Sequence, residues 1–171
     1  MVIVYRPIGF VHSPFTEPIG MPIQPRFADG AEGTVEVFED FGPGLADLDG
    51  FSHIHLIYHL HCSSGHALTV VPYMDTEKRG LFATRSPRRP NPIGLSVVRL
   101  LGITGTRLLV ADLDILDGTP VLDSKPFNPE VDHRERCRIG WMEGVSNRSQ
   151  TGVADGRFAG TDGCDPECRK G

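Results

Sequence analysis

Between Ser52 and His61 the chain reads Ser-His-Ile-His-Leu-Ile-Tyr-His-Leu-His, which puts His53, His55, His59 and His61 on one side of an extended backbone and Ile54, Leu56, Tyr58 and Leu60 on the other. A period of two marks a strand with one wet and one dry face. Thr34–Phe38 alternates in the same way, and Val2–Val4 and Gly9–His12 read as two more short strands. Leu95–Ile103 and Arg107–Ile115 are apolar runs joined at Gly105, and Val121–Phe127 follows a tight turn at Asp117-Gly118 and is interrupted by Pro126. Pro14, Pro18, Pro22 and Pro25 impose an irregular extended connection, and Leu45–Leu48 adds one short helical turn. Apart from one weak stretch, nothing up to Phe127 has the 3.6-residue period of a long amphipathic helix. Successive strands with short connections predict an all-β fold: a small antiparallel single-sheet meander, closed into a β-barrel so that no edge is exposed, with little helix. The pattern changes beyond Pro129, and from Asn147 glycine, serine and aspartate dominate. The expected division is a barrel domain over 1–140 and a C-terminal extension over 141–171, partly disordered or dimer-contacting, in which Trp141 caps the barrel or a partner subunit.

A chain of 171 residues fits one domain, and no apolar run approaches the roughly 20 residues of a membrane helix. Without a basic leader at Met1–Pro7 the expected setting is cytoplasmic, with no membrane partner. A net charge of −5 excludes a protein that coats nucleic acid indiscriminately, DNA included. Positive charge is local: Lys78, Arg79, Arg85, Arg88, Arg89 and Arg99 lie close in sequence, whereas carboxylates populate Glu32–Asp49 and Asp112–Asp123. Cys62, Cys137, Cys164 and Cys168 are expected as thiols in a reducing compartment, and their spacing lacks paired CxxC ligands. The four-histidine face raises a metal reading, but it reads better as a half-exposed strand, so no metal is expected.

The chemistry concentrates in Ala83-Thr84-Arg85-Ser86-Pro87-Arg88-Arg89-Pro90-Asn91-Pro92-Ile93-Gly94. Three prolines forbid helix and stiffen the backbone, while three guanidinium groups offer planar forks of donors, a combination suited to carboxylate or phosphate. The same run, with Ile8-Gly9-Phe10-Val11-His12-Ser13-Pro14-Phe15, Pro22-Ile23-Gln24-Pro25, Leu48-Asp49-Gly50-Phe51-Ser52-His53, Asp114-Ile115-Leu116-Asp117-Gly118-Thr119-Pro120 and Lys125-Pro126-Phe127, resembles the TsaA/TrmO-like (YaeB-like) family in block order from about Ile8 to about Asp132.

That resemblance implies a β-barrel methyltransferase using S-adenosylmethionine, acting on N6 of a threonylcarbamoylated adenosine 3′ of the anticodon in tRNA. It also implies a homodimer that engages the tRNA anticodon loop, in a short form without the additional C-terminal domain of larger members. Carried over position by position, the cofactor contacts it implies are Ile23, Gln24, Pro25, His61, Cys62, Arg85, Leu95, Ala111, Asp112, Leu113 and Asp114. Within that set Gln24 suits an adenine edge or ribose, Arg85 the cofactor carboxylate, Leu95 the adenine face, and Asp114 the ammonium or sulfonium. A urea-like N6 is a poor nucleophile and needs a base, for which His61 and Asp114 are the catalytic candidates. Arg88, Arg89 and Asn91 are assigned to RNA, Arg88 or Arg89 suiting the threonyl carboxylate. The alternative is a barrel that binds S-adenosylmethionine but methylates a small molecule or acts as a sensor, without tRNA activity.

Overall fold

The computed structural model describes residues 1–145 and 152–158. Six strands close a barrel: β1 (Gly9–His12), β2 (Gly33–Val37), β3 (His53–His59), β6 (Ile93–Thr104), β7 (Arg107–Ala111) and β8 (Thr119–Pro126). Two short strands, β4 (Thr69–Val70) and β5 (Arg79–Gly80), form a separate hairpin on the long excursion between β3 and β6. Every pairing is antiparallel, and the order around the barrel is β1-β2-β7-β6-β3-β8.

The expected antiparallel barrel is therefore present, but its strands are not a meander. Successive barrel strands pair in β1-β2, β3-β6 and β6-β7, but β2 does not pair with β3 nor β7 with β8: β7 returns beside β2, and β8 lies between β3 and β1. Alternating side chains specify which face of a strand is dry, not which neighbour it pairs with. Val2–Val4, expected as a strand, is exposed and outside the sheet. Arg107–Ile115 is cut short at Ala111, and the last strand begins two residues early, at Thr119. The helical turn expected near Leu45 is a pair of 3-10 segments, Glu39–Leu45 and Leu48–Gly50. A single α-helical turn, α1 (Pro129–Asp132), follows β8 and is capped by the Asn128 side chain, which accepts from the Glu130 N–H.

Period two carries through to burial. Ile54, Leu56 and Tyr58 of β3 point inward, as do Val98 and Leu100 of β6, Leu108 and Val110 of β7, Val35 and Val37 of β2, Val11 of β1 and Val121 of β8. Gly105, at φ +60°, makes the two-residue turn between β6 and β7. At the end of β7 the alternation slips, for Val110 and Ala111 are both buried. Asp112 then takes a left-handed φ of +64°, which aspartate tolerates better than most residues, and Arg99 donates to its carboxylate at 3.3 Å. That one residue resets the phase. Leu113 and Ile115 re-enter the core, and Asp114 between them is left at the barrel mouth.

Candidate functional site

At that mouth lies a cleft of about 340 Å³, where β3 ends, β6 begins and the chain passes from β7 to β8. Segments far apart in sequence line it: Met21–Gln24 from the proline-rich connection, Tyr58 and Leu60–Ser63, then Thr84, Arg85, Pro87 and Arg89, Ile93–Leu95, and Asp114–Leu116. Its size is within the roughly 300–1,000 Å³ of small-molecule sites.

The arginine-proline loop is rigid for a reason its sequence shows in part. Thr84 Oγ1 donates to the Leu81 carbonyl at 2.7 Å and accepts from the Ser86 N–H at 3.3 Å, while Ser63 Oγ ties down the Pro87 carbonyl at 2.8 Å. Arg89 braces the loop from within: its Nη1 donates to the Thr84 carbonyl at 3.0 Å, and its guanidinium lies 5.7 Å from the Phe82 ring centroid. On the cleft side Arg85 Nη1 donates to Gln24 Oε1 at 2.7 Å, so two expected site residues arrive already joined. Arg88 is half-buried, and its carbonyl accepts from the Ala67 N–H at 3.3 Å; Asn91 is exposed.

Of the expected cofactor residues, the cleft brings together Ile23, Gln24, His61, Cys62, Arg85, Leu95 and Asp114. Pro25 opens a 3-10 turn beside Gln24, outside the lining. Ala111, Asp112 and Leu113 are also outside it: Ala111 and Leu113 are fully buried, and Asp112 turns to Arg99. His61 Nδ1 lies 3.3 Å from Thr119 Oγ1. Cys62 carries a disulfide and Cys137 is an exposed thiol, so the expectation of thiols throughout does not hold; Cys164 and Cys168 lie outside the described residues. No group of three or more histidines, cysteines or carboxylates among the described residues stands ready for a metal. His55 instead turns Nε2 to Asp132 Oδ2 at 3.3 Å.

Three features were missed in the sequence. First, Tyr58, on β3, and Ser96, on β6, are buried behind Asp114: Ser96 Oγ donates to Asp114 Oδ1 at 2.6 Å and lies 3.0 Å from Tyr58 Oη. Burial pushes the Asp114 carboxyl up to about 6, against the pull of the Ser96 hydrogen bond and the Arg85 charge. The available signal was a serine at an inward position of an otherwise apolar strand.

Second, residues 152–158 pack against the cleft. Ile23 N–H donates to the Gly152 carbonyl at 3.1 Å, Ala154 N–H to the Met21 carbonyl at 2.7 Å, and Arg157 Nη1 to the Pro72 carbonyl at 2.6 Å. Phe158 meets the Tyr73 ring edge-on at 4.9 Å, and both line the cleft. This part of the expected loose tail is a wall of the site; 146–151 and 159–171 lie outside the described residues. Third, Trp141 reaches the start of the arginine-proline loop, donating from Nε1 to the Ala83 carbonyl at 2.8 Å, with Arg79 5.5 Å from its ring centroid.

Residues 10–133 match the family model for the tRNA-methyltransferase O N-terminal domain. A probable S-adenosyl-L-methionine-binding protein of Pyrococcus abyssi is 56% identical over 158 residues, 92% of this chain and 86% of that one. The tRNA (adenine(37)-N6)-methyltransferase of Mus musculus is 34% identical over 142 residues, covering 78% of this chain and 33% of that protein. Among solved structures, the crystal structure of TrmO from Pseudomonas aeruginosa superposes with a TM-score of 0.70 at 39% identity, over 82% of this chain and 63% of that one. The chain thus spans about a third of the mouse protein and less than two thirds of the bacterial one.

Proposed function

This chain belongs to the tRNA-methyltransferase O family, and from that premise we propose that it transfers the methyl group of S-adenosylmethionine to N6 of adenine 37 in tRNA, the adenosine carrying a threonylcarbamoyl group. The observation that carries the reading is the convergence of Gln24, His61, Arg85, Leu95 and Asp114 on one cleft from separate stretches of chain.

The residues present fit the cofactor's parts. Leu95 and Ile93, partly exposed at the mouth, offer apolar surface to a purine. Arg85 gives one N–H to Gln24 and keeps further donors of its fork for a carboxylate, with the Gln24 amide fixed beside it. Asp114 contributes negative potential for an ammonium or sulfonium. Bound there, S-adenosylmethionine supplies an electrophilic methyl group on a positive sulfur. The chain's task is to hold donor and acceptor in line at near-attack distance, exclude water and take a proton from N6.

Arg88 and Asn91, outside the cleft lining on the arginine-proline loop, are assigned to the RNA, and Arg89 at the cleft edge to the threonyl carboxylate. An anticodon loop presents unstacked bases, so no duplex need be opened. The same reading places the protein in the cytoplasm as a homodimer.

Incubating the protein with methyl-labelled S-adenosylmethionine and tRNA bearing the threonylcarbamoyl group tests it, with label expected in that nucleoside by mass spectrometry. No transfer at high enzyme concentration overturns it. The net charge of −5 favours a second reading, a cofactor-binding barrel that acts on a small molecule or as a sensor. Calorimetry separates the two, since that reading requires cofactor binding with no tRNA affinity even at low salt.

A further inference from the structure

We infer that Ser96 and Tyr58 are positioning residues that hold the Asp114 carboxylate as the proton acceptor for the transfer, an inference that rests on the proposed methyltransferase activity. Serine has a single hydroxyl proton, and the 2.6 Å bond to Asp114 Oδ1 uses it. The 3.0 Å contact between Tyr58 Oη and Ser96 Oγ must therefore be donated by the tyrosine. Burial and the neighbouring Asp114 charge raise the ionisation of Tyr58 far above its ordinary range, so its proton is always there to give. The direction of the chain is fixed, from Tyr58 to Ser96 to Asp114.

The barrel is built around this chain at some expense to its core. Inward positions of β6 run Gly94, Ser96, Val98, Leu100, and the first two are the ones that surround the phenol. A Cβ at Gly94 would overlap the Tyr58 ring, so only glycine lets the ring lie across the strand with its hydroxyl reaching Ser96. Ser96 is 2% exposed, a hydroxyl buried on the face where Val98 and Leu100 follow it into the core. These concessions converge on one carboxyl that lines the cleft.

The charged and titratable groups around that carboxyl are Arg85 and Arg89 from the arginine-proline loop, His61 beyond β3, Tyr58 behind it and Tyr73 across the cleft. Burial disfavours the charged form, whereas Ser96 and Arg85 favour it. Ser96 thus keeps ionised a group that its surroundings would protonate. In the transfer N6 gains the methyl carbon as that carbon's bond to sulfur breaks, and the N6 proton passes to the Asp114 carboxylate, which ends as the neutral acid. The sulfur leaves as a neutral thioether.

The test uses the whole chain labelled with carboxyl-13C aspartate, the Asp114 signal being assigned from its absence in Asp114→Asn. Its titration midpoint is compared with the acid limb of single-turnover methyl transfer. In Ser96→Ala both should move up together by about one pH unit. Ser96→Thr, which keeps a hydroxyl, should restore both. Tyr58→Phe, which keeps the ring and removes only the donor to Ser96, should move both in the same direction by a smaller step, and it serves if Ser96→Ala does not fold. An Asp114 midpoint that stays in place in the variants overturns the positioning role. A midpoint that moves while the rate limb stays overturns Asp114 as acceptor. Failure of the unaltered protein to methylate tRNA removes the proposed function and the acceptor role with it, whereas the carboxyl titration still decides whether Ser96 and Tyr58 hold Asp114.

Discussion

Asp114 is where burial and charge oppose each other across one carboxyl group. In the unfolded chain it titrates at the ordinary 3.8 and in the fold at about 6, so the folded state binds that proton more tightly. The associated stabilisation is complete below about pH 4 and is lost as pH rises through about 6. In the proposed acceptor role Asp114 works as the carboxylate, so methyl transfer should rise with pH through about 6 to a plateau. Asp114→Asn should therefore lower transfer by about 10²–10⁴-fold. Allowing for partial exposure, it should also raise stability at pH 7.5 by about 1–2 kcal/mol, read as a higher urea midpoint. A variant that is inactive but no more stable would show that the carboxyl carries no burial penalty. Sequence reasoning reached Gln24, Arg85 and Asp114 because their chemistry is explicit in their side chains and their motif. It did not reach Ser96 or Tyr58, whose part depends on a contact between β3 and β6 that no local pattern encodes.

Among the elements, β3 and β6 were legible because alternation states which face is buried. The order of strands was not, since β7 beside β2 and β8 beside β3 are pairings between distant segments. The arginine-proline loop was legible as stiff, and the structure adds what stiffens it: Thr84, Ser63 and Arg89 satisfy its backbone. Gly94 acts at this scale by its missing side chain, which sets how closely β6 approaches the Tyr58 ring. Gly94→Ala should destabilise the fold by about 1–3 kcal/mol through overpacking, measurable as a lowered thermal midpoint. An unchanged midpoint would mean that the ring has room to move. Phe158 acts from outside the barrel, closing the cleft against Tyr73, whose hydroxyl burial pushes up to about 12. Phe158→Ala should weaken S-adenosylmethionine binding by about tenfold in calorimetry, the worth of one aromatic contact plus its lost area. Equal affinity would remove the segment from the site.

Taken whole, the molecule is acidic with a local concentration of arginine, so its grip on RNA should be confined and salt-sensitive. With roughly two phosphates engaged, tRNA affinity should fall by about sevenfold to twelvefold between roughly 50 and 200 mM salt. Arg88→Ala should reduce the slope of log affinity on log salt by about one. An unchanged slope would move the RNA away from this loop. The closing of residues 152–158 over the mouth has a temporal consequence as well. A polypeptide emerges from the ribosome N-terminus first, and every strand of this barrel is complete by Pro126. The wall formed by Ala154 and Phe158 follows some thirty residues later. The nascent barrel can thus be assembled before its pocket has all its sides, and ligand capture follows barrel assembly rather than nucleating it.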